Sequence, residues 1–386
     1  MEFRTMIYIL LLTTLCMGCG GSLSMRQLEQ LEARMNDAPD SVLAVLTATD
    51  MPRWGEARAL YALLTVQAQD KSYIDVTNDS LITVATDYYQ RKGQPLRRLQ
   101  AFYYHGLVYQ RCDSVYKALH YYTRAKDFTP KVDAPYPIGL LNTQMGVLYG
   151  NVYDFPHGLV CMESALKNFE QAGEERLQYI AKRNIGQFHL NMEHTKQADS
   201  ILNEVLTWSE IHKESRIKYS TLSLLLRLYD ATENIKALDS LITNYPLRMF
   251  GQNATTYGII AHYHALKGDE IAARNALDQA KKVCSSGNDA GTIWYKGYKI
   301  NKILGNADIA LGYYEKLYDF QDSVARVTLQ QPLMASQRDY YHSEFELVKA
   351  RNLNLRYLVG VIILVSFFLA TLLFILVSYK DSRKQC

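Results

Sequence analysis

The sequence predicts an all-α fold: about seven helical hairpins stacked into a right-handed αα superhelix, followed by one transmembrane helix. Three observations predict it. Between Phe102 and Pro130, Gly106 and Ala118 are small where two antiparallel helices would cross. Tyr109, Tyr122 and Ala125 fill the space beside them, and Pro130 ends the second helix. A matching set recurs at a fixed interval: Gly106, Gly146, Gly186 and Leu226 lie 40 residues apart (146 − 106 = 40), and Ala118, Gly158, Ala198 and Leu238 each follow 12 later (118 − 106 = 12). Finally, Tyr357 to Tyr379 is uncharged and almost wholly apolar.

Residues 1–21 read as an export signal, with Arg4, an apolar run from Met6 to Leu15 and small residues around Gly18 to Gly21. Gly18-Cys19 is similar to a bacterial lipoprotein cleavage site, which makes Cys19 the lipidation candidate. Cys16 stands where such sites usually carry an aliphatic residue, so ordinary cleavage near Gly20 and an uncleaved anchor stay open. Residues 22–50 predict two capping helices: Leu28, Leu31 and Met35 face inward from the first, and Asp40 caps a second that buries Val42, Leu43 and Leu46.

The repeats span 51–320. Trp54 to Gln69 and Asp79 to Arg91 form a first, divergent hairpin with a long linker between them. The 40-residue units follow. Ala261, Gly268, Ala273, Leu277 and Ala280 mark the next unit, and Trp294, Ala310, Tyr314 and Leu317 the last. One hairpin cannot bury its apolar face alone, so neighbours must stack on it. Residues 321–356 predict a polar juxtamembrane stalk, kinked near Pro332. Within it Tyr341, Phe345, Val348 and Leu355 make 341–355 either a short homodimer seam or one side of a single amphipathic helix.

Residues 357–379 number 23 (379 − 357 + 1 = 23). At about 1.5 Å each they reach roughly 34 Å, enough for a hydrocarbon core of about 30 Å. Lys349, Arg351 and Arg356 precede the span, and Lys380, Arg383 and Lys384 follow it, so local charge does not set its orientation. The export signal places the repeats in the periplasm and residues 380–386 in the cytoplasm, an inner-membrane arrangement.

Composition narrows the function classes. With 48% hydrophobic and 21% charged residues, 21 Gly and 9 Pro, the chain has a globular composition. A formal net charge of +3 favours no nucleic-acid partner. The 29 Tyr read as packing residues of a thin solenoid. Cys112, Cys161 and Cys284 show neither metal-ligand spacing nor an even count, and read as packing residues too. His189, Glu193 and His194 imitate a zinc helix, but the two histidines are five apart (194 − 189 = 5) where metal pairs stand four apart. No Walker A, G-x-G-x-x-G, G-x-S-x-G or kinase motif is present, so no enzyme, no cofactor and no metal is expected.

The spacing within 102–130 matches the tetratricopeptide (TPR) pattern. More broadly, Ala57 to Tyr89, the repeats after it and EFELVKARNLNLRYL before the apolar run resemble bacterial membrane-anchored TPR proteins across nearly the whole chain. That resemblance implies periplasmic repeats, one inner-membrane helix and often a cytoplasmic coiled coil, DNA-binding or histidine-kinase module. Here seven residues follow the span (386 − 380 + 1 = 7), too few for such a module.

In TPR arrays the first helix of each hairpin lines the concave face. That places Tyr103, Arg111, Asn151, Arg183, Asn191, Arg227, His262, Lys299 and Lys302 there, a basic and amide wall suited to carboxylates and extended backbone, interrupted by Asp230. The expected function is a membrane-anchored scaffold that binds a peptide or protein on this face. The alternative is a transmembrane sensor whose tail is read by a separate cytoplasmic partner.

Overall fold

A computed structural model describes residues 22–329, 357–363 and 365–366. Among them there is helix and no strand.

The first two helices, α1 (Met25–Ala33) and α2 (Pro39–Thr47), form the cap. Ser24 opens α1 with a reciprocal cap: the Gln27 N–H donates to Ser24 Oγ at 3.4 Å and the Ser24 N–H to Gln27 Oε1 at 2.9 Å. Leu28, Leu31, Met35, Val42 and Leu46 bury against Leu60, Tyr61 and Leu64 of α3 (Gly55–Lys71), each contributing about 1.5–3 kcal/mol relative to exposure. Tyr61 locks the contact by donating its hydroxyl to the Leu46 carbonyl at 2.6 Å. Asp40 lies in the first turn of α2 and does not cap it. Pro39 takes the first helical position, where a missing N–H costs nothing.

Seven hairpins follow. They are α3 with α4 (Ser80–Tyr89), α5 (Pro95–Arg111) with α6 (Val115–Lys126), and α7 (Pro135–Asn151) with α8 (Phe155–Ala172). Next come α9 (Glu175–Asn191) with α10 (Thr195–Ile211) and α11 (Ser215–Ala231) with α12 (Ile235–Asn244). Last are α13 (Ala254–Leu266) with α14 (Glu270–Lys282) and α15 (Gly287–Ile303) with α16 (Ala307–Leu329).

Small residues at the crossings do what their spacing implies. A Cβ on Gly106 would stand 2.5 Å from the Tyr122 ring and 3.1 Å from the Ala118 carbonyl oxygen, and one on Gly146 would stand 3.2 Å from the Gly158 carbonyl oxygen. Where Leu226 and Leu238 replace the glycine pair, both leucines are buried, and α11 and α12 meet over a much shorter stretch.

The 40-residue period also has a backbone cause. Tyr153, Gly173, Glu193, Lys213 and Glu233 all adopt positive φ, and they fall 20 residues apart (173 − 153 = 20). Each follows a helix of 17 or 18 residues. The residue after each donates its N–H five back, as Asp154 does to Tyr149 at 2.9 Å and Glu214 to Ser209 at 2.9 Å, the left-handed helix stop. Long helices, not long turns, therefore stretch the unit beyond the common TPR length of about 34 residues.

The first helices form an inner layer: α3 meets α5, α5 meets α7, α9 meets α11, α11 meets α13 and α13 meets α15. Second helices pack mainly on their own partners and on the next first helix.

Four further sequence expectations change. Trp54 is a helix-capping residue with its ring 78% exposed rather than a packing residue, because α3 starts one position later. Pro130 sits in a short 3-10 turn after α6, which already ends at Lys126. Of the body cysteines only Cys161 is buried; Cys112 and Cys284 sit exposed just past helix ends.

The fourth correction concerns location. Crossing a membrane takes about 20 consecutive apolar helical residues, and among the described residues no helix is long and apolar enough to do so. Of the expected span only 357–363 and 365–366 are described, and they are helical. The inner-membrane placement, with periplasmic repeats and a cytoplasmic C-terminus, is withdrawn on that finding, and with it the transmembrane-sensor reading. The leader at 1–21 with Cys19, the stalk from 330 on, the 341–355 seam and the tail at 380–386 lie outside the described residues.

Candidate functional site

Charged and amide side chains on the inner layer fall into three groups, separated by who their partners are. At the N-terminal end Arg97, on α5 and 5% exposed, donates to Glu32 at 2.6 and 3.1 Å and to Glu29 at 3.3 Å, both on α1, and to Glu56 of α3 at 3.1 Å. One guanidinium thus ties the cap to two hairpins. Arg111, at the end of α5, is paired with Asp70 and, at 3.2 Å, with Asp75.

At the C-terminal end the signs are reversed. Asp230 of α11 is buried, accepts from His262 Nδ1 of α13 at 2.7 Å and pairs with Lys296 of α15. Burial alone would raise its carboxyl pKa. The His262 hydrogen bond and the Lys296 ammonium outweigh that and hold it below the usual range. Beside this cluster Lys299 pairs with Glu233 at 2.7 Å.

The middle differs. Arg183 of α9 and Arg227 of α11 are half-buried, and among the described residues neither has a carboxylate partner. Arg183 reaches the Asn184 side-chain oxygen, and its Nε is buried with no acceptor. Arg227 donates from Nη2 to Asn191 Oδ1 at 3.3 Å. Burial pushes both guanidinium pKa values down with no opposing carboxylate, yet an arginine stays cationic. Two desolvated cations with spare donors on adjacent inner helices are chemically set up to take an anion with planar oxygens.

The residues expected from sequence to form one wall are therefore dispersed. Asn191 and Arg227 meet through their hydrogen bond, Arg183 lies two turns before Asn191 on α9, and Asn151 is exposed at the end of α7. Arg111 and Lys299 are engaged in ion pairs, His262 is fully buried under Asp230, and Lys302 lies 5.8 Å from the Tyr298 ring centre. Tyr103 is buried and lines a separate cavity of about 340 Å³.

Sequence reasoning missed that cavity's amides, Gln67 and Gln100. The available signal was a polar residue inside the apolar run LLTVQA. His189 and His194 approach with Nδ1 atoms 3.4 Å apart at a turn. Among the described residues no group of three His, Cys, Asp or Glu is placed to hold a metal ion.

No protein-family model matches the chain, and no curated protein matches it. Solved structures do. The apo form of RapI superposes with a TM-score of 0.57 at 12% identity, covering 84% of this chain and 97% of that one. NprR in complex with its cognate peptide NprX gives 0.53 at 13%, covering 85% and 100%. A Rap protein complexed with competence and sporulation factor gives 0.53 at 13%, covering 84% and 95%. At such identities the likeness is one of fold. The chain is an all-helical, TPR-like superhelix similar to the Rap and NprR proteins.

Proposed function

We propose that this protein is a non-catalytic scaffold that holds an extended peptide, or an extended segment of a protein, along its inner helix layer. Arg183 and Arg227 take a carboxylate of that partner. One observation carries the reading: two half-buried guanidinium groups on neighbouring inner helices have no carboxylate, while the cations Arg97, Arg111, Lys296 and Lys299 on the same layer all have one. Two of the similar structures are of complexes, one with a cognate peptide and one with competence and sporulation factor, which supports a peptide as occupant. Several weak contacts on successive hairpins add up because the scaffold is ordered before binding.

The test compares retention of random pentapeptide pools carrying a free C-terminal carboxylate or acidic side chains with amidated, neutral pools on the immobilised protein. The carboxylate pools should be retained preferentially. Arg183→Gln with Arg227→Gln should weaken that retention by about tenfold or more, the scale of one charge-assisted hydrogen bond. Equal retention of neutral pools, or an unchanged double variant, would refute the reading.

A further inference from the structure

The cavity beside Tyr103 shares no residue with the Arg183 and Arg227 site, and it is built differently. It lies among α1, α3, α5 and α7 and encloses about 340 Å³, near the lower end of the roughly 300–1,000 Å³ typical of small-molecule pockets. Tyr103, Tyr104 and Tyr136 supply its aromatic wall.

Two amide oxygens in its lining are unanswered. Gln67 is 7% exposed, and its Oε1 is buried with no hydrogen-bond partner; Gln100 Oε1, one inner helix further on, is in the same state. A buried acceptor without a donor is costly to keep, so a ligand bringing N–H groups recovers what folding leaves unmade.

The lining carries both signs: Lys71, whose ammonium lies 5.6 Å from the Tyr136 ring centre, and the carboxylates of Glu32 and Glu174. A charged ligand of either sign therefore meets a like charge there. A neutral donor is left, and the common neutral group with two N–H donors flanking a side chain is one residue of a peptide.

We propose that this cavity is a one-residue subsite for a bound peptide, taking a bulky apolar side chain against the three tyrosines while the flanking backbone N–H groups donate to Gln67 and Gln100. It rests on the reading of the inner layer as a peptide-binding face, and adds to it the side-chain class selected at the N-terminal end.

The probes are capped single residues, titrated calorimetrically into the full chain: N-acetyl-L-phenylalaninamide, N-acetyl-L-leucinamide, N-acetylglycinamide, and the methyl ester of N-acetyl-L-phenylalanine, which lacks the C-terminal amide N–H donors. The expected result is millimolar, saturable binding of the two apolar amides, with the glycine compound and the ester each about tenfold weaker. Gln67→Met and Gln100→Met, which keep shape and remove the acceptor, should each weaken the apolar amides by a similar factor. Gln100, only half-buried, serves where the Gln67 variant does not fold. Arg183→Gln with Arg227→Gln should leave this binding unchanged even where it abolishes carboxylate retention, so the two readings fail separately. No saturable binding at millimolar concentrations, equal binding of the glycine and phenylalanine compounds, or binding indifferent to both glutamines would overturn the proposal.

Discussion

Arg97 and Arg183 are the same residue type on the same layer of helices, and they are put to opposite uses. Arg97 is enclosed by three carboxylates from two other helices, whereas Arg183 has no carboxylate and one buried nitrogen with nothing to donate to. Asp230, toward the other end, reproduces the Arg97 arrangement with the signs exchanged. The buried charges of Arg97 and Asp230 are matched within the chain and tie successive hairpins together. The half-buried guanidinium groups of Arg183 and Arg227 have no such carboxylate among the described residues. Charge on an inner wall is therefore a poor guide to a binding site until the partners have been counted.

The largest effect should come from breaking a matched set. Asp230→Ala leaves the Lys296 ammonium, 5% exposed, without its carboxylate, and should cost about 3–5 kcal/mol in urea unfolding. Asp230→Leu combined with Lys296→Met removes both charges and should recover most of the loss. Arg183→Gln takes away no partnered charge and should stay within about 0.5 kcal/mol of the parent. If Arg183→Gln costs as much as Asp230→Ala, the division between matched ends and unmatched middle is wrong.

Acid should separate the ends from each other. His105 of α5 is buried, bonds Thr86 Oγ1 through Nδ1 at 3.1 Å and stacks 3.7 Å from the Tyr121 ring. Burial, the dominant cause, lowers its pKa to about 4. The unfolded chain, with an ordinary histidine pKa near 6.5, binds more protons between pH 6.5 and 4. Stability therefore falls as pH drops through that window, by about 3 kcal/mol at its lower end.

Asp230 behaves differently because its carboxyl is held low. Its contribution is present above the ordinary aspartate pKa of about 3.9 and is lost only as pH falls through the lower folded value. A repeat array opens locally, so amide-exchange protection at pH 4.5 should drop around α5 and α6 while α11, α13 and α15 keep theirs. His105→Phe should remove the difference. An equal loss at both ends would break the comparison.

How much of this could be read from sequence depends on the range of the interaction. The hairpins were legible because Gly106, Ala118 and Tyr122 meet across one short turn, and a fixed crossing geometry imposes fixed spacing. The cap was legible for the same reason, through Leu28, Leu31 and Met35. Periodicity also put the polar residues on the first helices, but it could not say which were engaged. The partner of Asp230 in α13 is 32 residues away, its partner in α15 is 66, and Glu29 is 68 from Arg97. Gln67 and Gln100 gave still less signal, since an isolated amide in an apolar run becomes informative only when its acceptor is seen to lack a donor. The membrane expectation rested on 357–379, of which only 357–363 and 365–366 are described.

The smallest effect lies in the turns. Glycine fills the left-handed stop after α8, α13 and α15 (Gly173, Gly268, Gly305), whereas Tyr73, Asp113, Tyr153, Glu193, Lys213 and Glu233 hold that conformation after the other first helices and after α10. A left-handed L-residue costs about 1–2 kcal/mol, and glycine returns about 0.5–1 kcal/mol of that as extra freedom of the unfolded chain. Lys213→Gly should therefore stabilise the protein by about 0.5 kcal/mol. Gly268→Ala, where a Cβ meets nothing within 4 Å and only the backbone is strained, should cost about 1 kcal/mol. Both are read from urea midpoints at constant slope. If Lys213→Gly destabilises instead, the regular middle repeats are held by side-chain contacts of the turn residues, and the 20-residue rhythm has another cause than the left-handed stop.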